Sequence, residues 1–350
     1  MIEVDGSMME GGGQLLRMAT AFSAIIGEQI HVSNIRVGRS DPGLKPQHLT
    51  TIQAAAEICG AELTGARAGS KEVWFKPGHI RGGDYRFDIG TAGSVTLLLQ
   101  CLTPIAAFAD APVKLSVIGG TAVKWSPPST FMEKVVWRAF QAMGIDCKLK
   151  VLRHGFYPKG GGHVEAQIAP VKRLTPLAVD QRPVKEVYGL SVCGRLPQHI
   201  ALRQAKSAHD ALKRARLKPR MDAAVLEGSD SPLSPGSFIC LWADAGYLGT
   251  CSLGERSKPA EKVGSEAAET MIDLVKAGDQ VDPHTADHLI LPMSLAEGES
   301  SFTTCELTLH TLTAIRLAET FTEAKFDVEG EEGKPSRVTC LGADEHTLSP

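Results

Sequence analysis

Three glycines separate an acid from an amide in Glu10-Gly11-Gly12-Gly13-Gln14, directly before an apolar pattern of helical period. Backbone N–H groups at such a helix start, with the positive end of its dipole, can meet an anion, and Glu10 stands where a metal or a general base could be used. The lysine of a Walker A loop is missing, which disfavours an ordinary P-loop. The segment Arg36-Val-Gly-Arg39-Ser-Asp-Pro-Gly-Leu44-Lys-Pro-Gln47-His48-Leu49 puts forked donors before a turn and a second helix start. Arg36 and Arg39 can grip phosphate oxygens in bidentate fashion, joined by Arg17 one turn into the first helix. A solvated basic loop with Arg17 in a surface ion pair explains the same residues. His310, in Leu307-Thr-Leu-His310-Thr-Leu-Thr313, has hydroxyls rather than acids beside it. A neutral, nucleophilic imidazole fits that setting, and so does a hydrogen-bonded core histidine. Gly119-Gly120-Thr121 and Gly155-Phe-Tyr-Pro-Lys-Gly-Gly-Gly162 read as turn chemistry.

The rest of the chain limits what such a site can serve. At 350 residues, with 43% hydrophobic and 22% charged, it is long enough for two domains and too apolar for wholesale disorder. Lys and Arg total 37 against 40 acids, a net charge of -3, which argues against coating a nucleic acid by bulk positive charge. The eight cysteines show no C-x-x-C pair and no clustered metal-ligand spacing, and read as reduced, mostly buried thiols. The N-terminal acids Glu3 and Asp5 do not suit a secretory signal, and the apolar stretch 95–109, broken by Gln100 and Pro104, is too short to span a bilayer. An intracellular protein without a membrane segment is the expectation.

The elements that must position these residues follow an α/β layered pattern. Helices are expected over 14–26, 47–58, 95–108 and 129–143, and strands over 29–37, 71–75, 113–117 and 147–152, with a turn-rich stretch at 77–84. Helix and strand pairs recur at a spacing of about 80 residues, an internal repeat. Composition then changes near Val184. Between Arg195 and Arg220 eight positive residues face one acid, a local net of +7, and 229–236 is rich in Pro, Ser and Gly. We therefore expect a large repeated-unit domain formed by 1–183 and 281–340, interrupted by a smaller inserted α/β domain over 184–280. From Thr285 the first pattern returns: a helix over 286–295, a Gly/Ser loop over 298–301 and a helix over 307–321. The acidic end, with 341–350 as a frayed tail, closes the chain.

Taken in order, these motifs closely resemble the RNA 3'-terminal phosphate cyclases. The resemblance rests on Glu10-Gly-Gly-Gly-Gln14, Arg39-Ser-Asp-Pro-Gly-Leu44 with Gln47-His48-Leu49, Arg81-Gly-Gly-Asp-Tyr-Arg-Phe87, Gly93-Ser94 with Leu97 to Gln100, Gly119-Gly-Thr121 and Arg153-His-Gly-Phe-Tyr-Pro158 through Gly162. It continues through Ala286-Asp287, Leu291-Pro-Met293, Ser301-Phe-Thr303 and His310. It covers most of 1–170 and 284–326, while the insertion is matched only in size and position.

The resemblance implies about three repeated units, each a β-sheet backed by two helices, and ATP-dependent conversion of an RNA 3'-phosphate to a 2',3'-cyclic phosphate. His310 would attack the α-phosphorus of ATP, forming an adenylyl-histidine that passes the adenylate to the RNA end. Gln100, Pro127, Phe131 and the run His284-Thr285-Ala286-Asp287-His288 would contact the nucleotide. Gln14, Arg17, Arg36, Arg39, Gln47 and His48 would hold the RNA terminal phosphate, with a divalent cation, Mg2+ or Mn2+, near Glu10. His284 stands where a tyrosine commonly packs on adenine, His288 where a glutamine is usual, and the loop Glu297-Gly-Glu-Ser-Ser301 is more acidic than the usual glycine-rich form. A related noncatalytic branch, serving ribosome assembly, lacks the histidine. Enolpyruvyl transferases share the repeated-unit architecture without these motifs.

Overall fold

Helix-forming glycine-led segments and short β-branched runs alternate through the chain, and in the computed structural model, which describes residues 1–342, they build four sheets. The first sheet orders its strands Ile2–Asp5, Ile30–Ser33, Val73–Lys76, Glu62–Thr64. Its first pair is parallel and the others antiparallel. The second sheet repeats that layout with Gly83–Asp88, Val113–Gly119, Gly162–Ile168 and Cys147–Arg153. In both, chain order 1-2-4-3 places a helix after the first strand and another after the second. Those helices are Gly13–Ile26 and Pro46–Cys59 in the first unit. In the second they are Val95–Ala107 and a helix that starts at Ser129, loosens into a π-turn over Met132–Val136 and ends at Ala142.

The third unit keeps the two helices, Pro283–Leu295 and Leu309–Phe321, but its sheet has three antiparallel strands in the order Glu299–Thr304, Ser336–Leu341, Lys325–Glu329. Strands two, four and three of the earlier layout are there, without the first. A fourth sheet, Lys218–Leu226, Glu186–Gly194, Gly236–Ala243, Gly249–Leu253, carries the helices His199–Arg214 and Ala260–Ala277. Val263, Ala267 and Met271 from one helix and Leu212 from the other bury against Ile239 and Leu241 in a cluster of their own. The opposite sheet face lends Val192, Phe238 and Cys240 to the main core.

Several expectations are corrected. The strand anticipated over 29–37 stops at Ser33, because Asn34 and Arg36 take positive φ and turn the chain into a loop. The Gly/Ser loop anticipated over 298–301 enters the strand Glu299–Thr304, in which Ser300, Phe302 and Thr304 alternate inward. The turn-rich stretch ends in the strand Gly83–Asp88. The acidic end is ordered as two strands through Leu341, and the rest of the anticipated frayed tail, 343–350, lies outside the described residues. No helix among the described residues is long and apolar enough to cross a membrane.

Candidate active site at converging helix starts

The first turns of five helices meet at one place. Gln14 is the second residue of its helix, and its side-chain amide donates to Asp287 Oδ2 at 2.6 Å and to the His310 carbonyl at 3.2 Å, from the two helices of the third unit. Gly13 lies under His48, near the start of the next helix, and Gln47 accepts the backbone N–H of Ser94, which caps the helix Val95–Ala107, at 2.7 Å. The Gly13 start has no side-chain cap, so its N–H groups and positive dipole end are open to an anion, whereas Ser94, Asp282 and Thr308 cap the starts of the helices that follow them.

The state of His310 follows from its partner. Both amide hydrogens of Gln14 are committed, to Asp287 and to the His310 carbonyl, so Oε1 faces the ring, 2.7 Å from His310 Nδ1. An amide oxygen only accepts, so Nδ1 carries the hydrogen and Nε2 keeps a free lone pair. Burial lowers the pKa below the ordinary histidine value, and Arg17, His284 and Arg39 act in the same direction against the opposing Glu10. The imidazole is therefore neutral at neutral pH, with Nε2 as the available nucleophile.

Arg17 is 5% exposed and gives Nε and Nη2 to Gln100 Oε1, at 3.3 and 3.1 Å. The surface ion pair weighed from the sequence is not what holds it: no carboxylate among the described residues pairs with Arg17. Gln100 also lies against Asp287, whose carboxyl burial pushes up to about 7. Asp287 thus links Gln14 and His310 on one side with Gln100 and Arg17 on the other.

The remaining residues divide by placement. Glu10 accepts from Gly12 N at 2.7 Å and pairs with Arg39. Arg36 Nη1 is spent on the carbonyls of Asp41 and Gly43, at 2.9 and 2.8 Å, so it shapes the loop that presents the exposed Arg39. His48 Nδ1 accepts the Lys45 N–H, leaving Nε2–H toward Gly13. The Pro127 carbonyl accepts from Thr96 at 2.8 Å, beside Ser94. Phe131, anticipated as a nucleotide contact, is 2% exposed, its ring in the core against Gly249. His284 is exposed, Thr285 and Ala286 are buried, and His288 is 6% exposed with Nδ1 unpartnered.

Asp282, which motif reading missed, is the buried residue that fixes the His284 to His288 run. It accepts from the N–H groups of His284, Thr285 and Gly249 and from the Thr285 hydroxyl. Its signal was in the sequence: Asp before Pro283 is an N-cap followed by proline in the first turn.

Two consequences are testable in this geometry. A methyl group on Gly13 would collide with His48 Nε2, lie 2.8 Å from His48 Cδ2 and reach Arg17 Nη1 at 3.0 Å. Since His48 is buried and tied to Lys45, Gly13→Ala is expected to destabilise the fold by about 1–3 kcal/mol, read as a lower melting temperature. Burial and nearby cations also depress His48 and His288 to about 3, from an ordinary 6.5. Below pH 6.5 the unfolded chain takes up these protons and the folded one does not until about pH 3, so stability is full above that window and lost as pH falls through it. His288→Gln is expected to make the acid decline in melting temperature shallower than in the parent.

The basic stretch is weaker than its count. Arg203 pairs with Glu261, Lys206 with Asp210 and Arg220 with Glu186, so three of the eight positive charges are locally neutralised.

Fold and site together define an α/β protein of repeated sheet-and-two-helix units, with a neutral histidine and a buried arginine at joined helix starts. A family model for RNA 3'-terminal phosphate cyclase matches residues 8–328. The chain is 44% identical over 344 residues to the RNA 3'-terminal phosphate cyclase of Methanopyrus kandleri, covering 97% of this chain and 98% of the relative. It is 44% identical to the proteins of that name from Caldivirga maquilingensis, at 93% and 94% coverage, and Methanosarcina mazei, at 95% and 98%. This chain belongs to the RNA 3'-terminal phosphate cyclase family. Among solved structures it is similar to the enolpyruvyl transferase NikO from Streptomyces tendae, with a TM-score of 0.39 and 10% identity over 99% of this chain and 50% of that one.

Proposed function

We propose that this chain uses ATP to convert the 3'-phosphate of an RNA end into a 2',3'-cyclic phosphate, with His310 as the transient carrier of the adenylate. The observation that carries the reading is the Gln14 clamp: it holds the hydrogen on Nδ1 and leaves the Nε2 lone pair of a neutral imidazole free. Nε2 attacks the α-phosphorus of ATP and the bond to the β-phosphate oxygen breaks, releasing pyrophosphate. An oxygen of the RNA 3'-phosphate then attacks the same phosphorus, the P–N bond breaks, and His310 returns to its neutral form. In the last step the 2'-oxygen attacks the 3'-phosphorus, loses its proton and expels AMP.

Imidazole suits both transfers, because it is nucleophilic when neutral and leaves well when its phosphoramidate is protonated. Charge neutralisation falls to Arg17, Arg39 and the helix starts, and Gln47 and His48 hold the terminal phosphate from the second helix. The nucleotide lies along Gln100, Pro127 and the His284 to His288 run.

A divalent cation would enter as a companion of the triphosphate. Among the described residues no three His, Cys, Asp or Glu side chains form a metal cage. One carboxylate, Glu10, suits Mg2+ or Mn2+ held otherwise by phosphate oxygens and water, provided it exchanges its pair with Arg39. Bound there, the ion would neutralise phosphate charge.

The test is product analysis. A 3'-phosphorylated RNA incubated with the protein, ATP and Mg2+ or Mn2+ is expected to yield one cyclic end per AMP and pyrophosphate. An unchanged RNA end with no ATP consumed would favour a noncatalytic binding protein.

A further inference from the structure

Five of the eight large hydrophobic side chains exposed among the described residues, Met9, Val37, Trp125, Tyr157 and Leu233, sit on loops. Two of them are aromatic and stand almost free: Trp125 is 94% exposed and Tyr157 76%. Trp125 has φ +67, a left-handed conformation that a bulky side chain rarely adopts, and here it turns the ring outward. The loop beneath it is anchored on both sides. Lys124 bonds Glu255 at 2.8 Å, Ser126 bonds the Val123 carbonyl and Thr96 holds the Pro127 carbonyl. Tyr157 has a similar support, because Phe156 is buried and Lys159 N bonds Ser234.

The two loops run side by side and reach the site through shared backbone contacts. Thr121 and Ala122 donate to the Gly155 carbonyl, Gly120 donates to Gly93, and Gly160 packs against Thr91 and Ala92. Ser94, in that same turn, is held by Gln47. Outward rings on hydrogen-bonded loops beside a cationic phosphate site match what single-stranded RNA requires: charge for its backbone and flat apolar faces for its unpaired bases. Neither ring has a role in the adenylate chemistry above.

We propose that Trp125 and Tyr157 are stacking platforms for the unpaired bases preceding the RNA terminal phosphate, and so position that phosphate for transfer. The proposal rests on the RNA-end reading of the site. It makes the enzyme selective for a single-stranded end with intact bases, since a terminal phosphate alone cannot use the rings.

The test uses the full chain and a short 5'-fluorescent RNA with a 3'-phosphate, followed by anisotropy, against the same RNA lacking its last two bases. For the parent, base removal is expected to weaken binding about tenfold or more. Trp125→Ala is expected to bind intact RNA about tenfold more weakly, to gain a smaller penalty from base removal than the parent, and to raise the KM for RNA with kcat little changed. Trp125→Phe should recover most of the affinity, and Tyr157→Ala should show a similar, smaller pattern. The proposal is overturned if Trp125→Ala binds intact RNA as the parent does, or if base removal costs both proteins equally. It is also overturned if the KM for ATP in self-adenylylation rises while RNA binding is unaltered, which would assign the ring to adenine. A parent that accepts no adenylate from ATP would defeat the histidine mechanism instead, while the binding titration would still decide the stacking role.

Discussion

His310→Ala is expected to accept no label from α-labelled ATP and to lose cyclisation by at least ~10⁴-fold, the scale on which removal of a covalent nucleophile is felt. His310 is exposed and its ring hydrogen-bonds Gln14, so little packing is lost and the protein should melt near the parent's temperature. Labelling of the variant at the parental rate would move the nucleophile elsewhere. Loss of labelling together with a collapsed melting temperature would be answered by His310→Asn, which keeps a polar side chain at the helix start without a nucleophilic ring nitrogen.

Gln14→Leu has the second largest expected effect. Its side chain nearly matches glutamine in size but removes three contacts at once: the acceptor for His310 Nδ1–H, the donor to Asp287 and the donor to the His310 carbonyl. The imidazole is then free to rotate and to place its hydrogen on Nε2, where it blocks attack. Loss of a group that only fixes tautomer and orientation typically costs a hydrolytic triad about 10⁴-fold, and for this neutral clamp we expect a fall of about 10²- to 10⁴-fold in the rate of self-adenylylation. The KM for ATP should move far less than the rate. A variant that transfers adenylate at the parental rate would show that the tautomer is set by something other than Gln14.

Much of the frame could be read from residues alone, because the signals were local. Gly12-Gly13 before an apolar helical period, Ser94 before Val95, and Pro46 at a helix start each mark an element by its own chemistry. The strands at 299–304 and 325–329 were harder. In Lys325-Phe-Asp-Val-Glu329 the exposed charges alternate with half-buried apolar residues, a short pattern inside an acidic stretch. The strand at 299–304 begins on the exposed Glu299, and Ser300 buries by pairing with Cys340, 40 residues away.

The site was legible as a set of residues but not as a network. Gln14 and His310 are 296 positions apart, and nothing in either segment names the other. The arginines looked alike in sequence, yet Arg39 faces outward, Arg36 holds its own loop and Arg17 is buried on Gln100. Phe131 was an aromatic beside Pro127 and Pro128 in the sequence, and the fold takes its ring into the core while turning Trp125 out. Burial of this kind depends on which loop covers which sheet, a property of the third dimension.

The central claim is that the adenylate is carried on Nε2 of His310, and phosphorus–nitrogen NMR of the ¹⁵N-histidine-labelled protein after reaction with ATP tests it most directly. The expected result is one phosphoramidate, stable to base and labile to acid, coupled to Nε2 of His310. Coupling to Nδ1, or an adenylate on a lysine or another histidine, would contradict it.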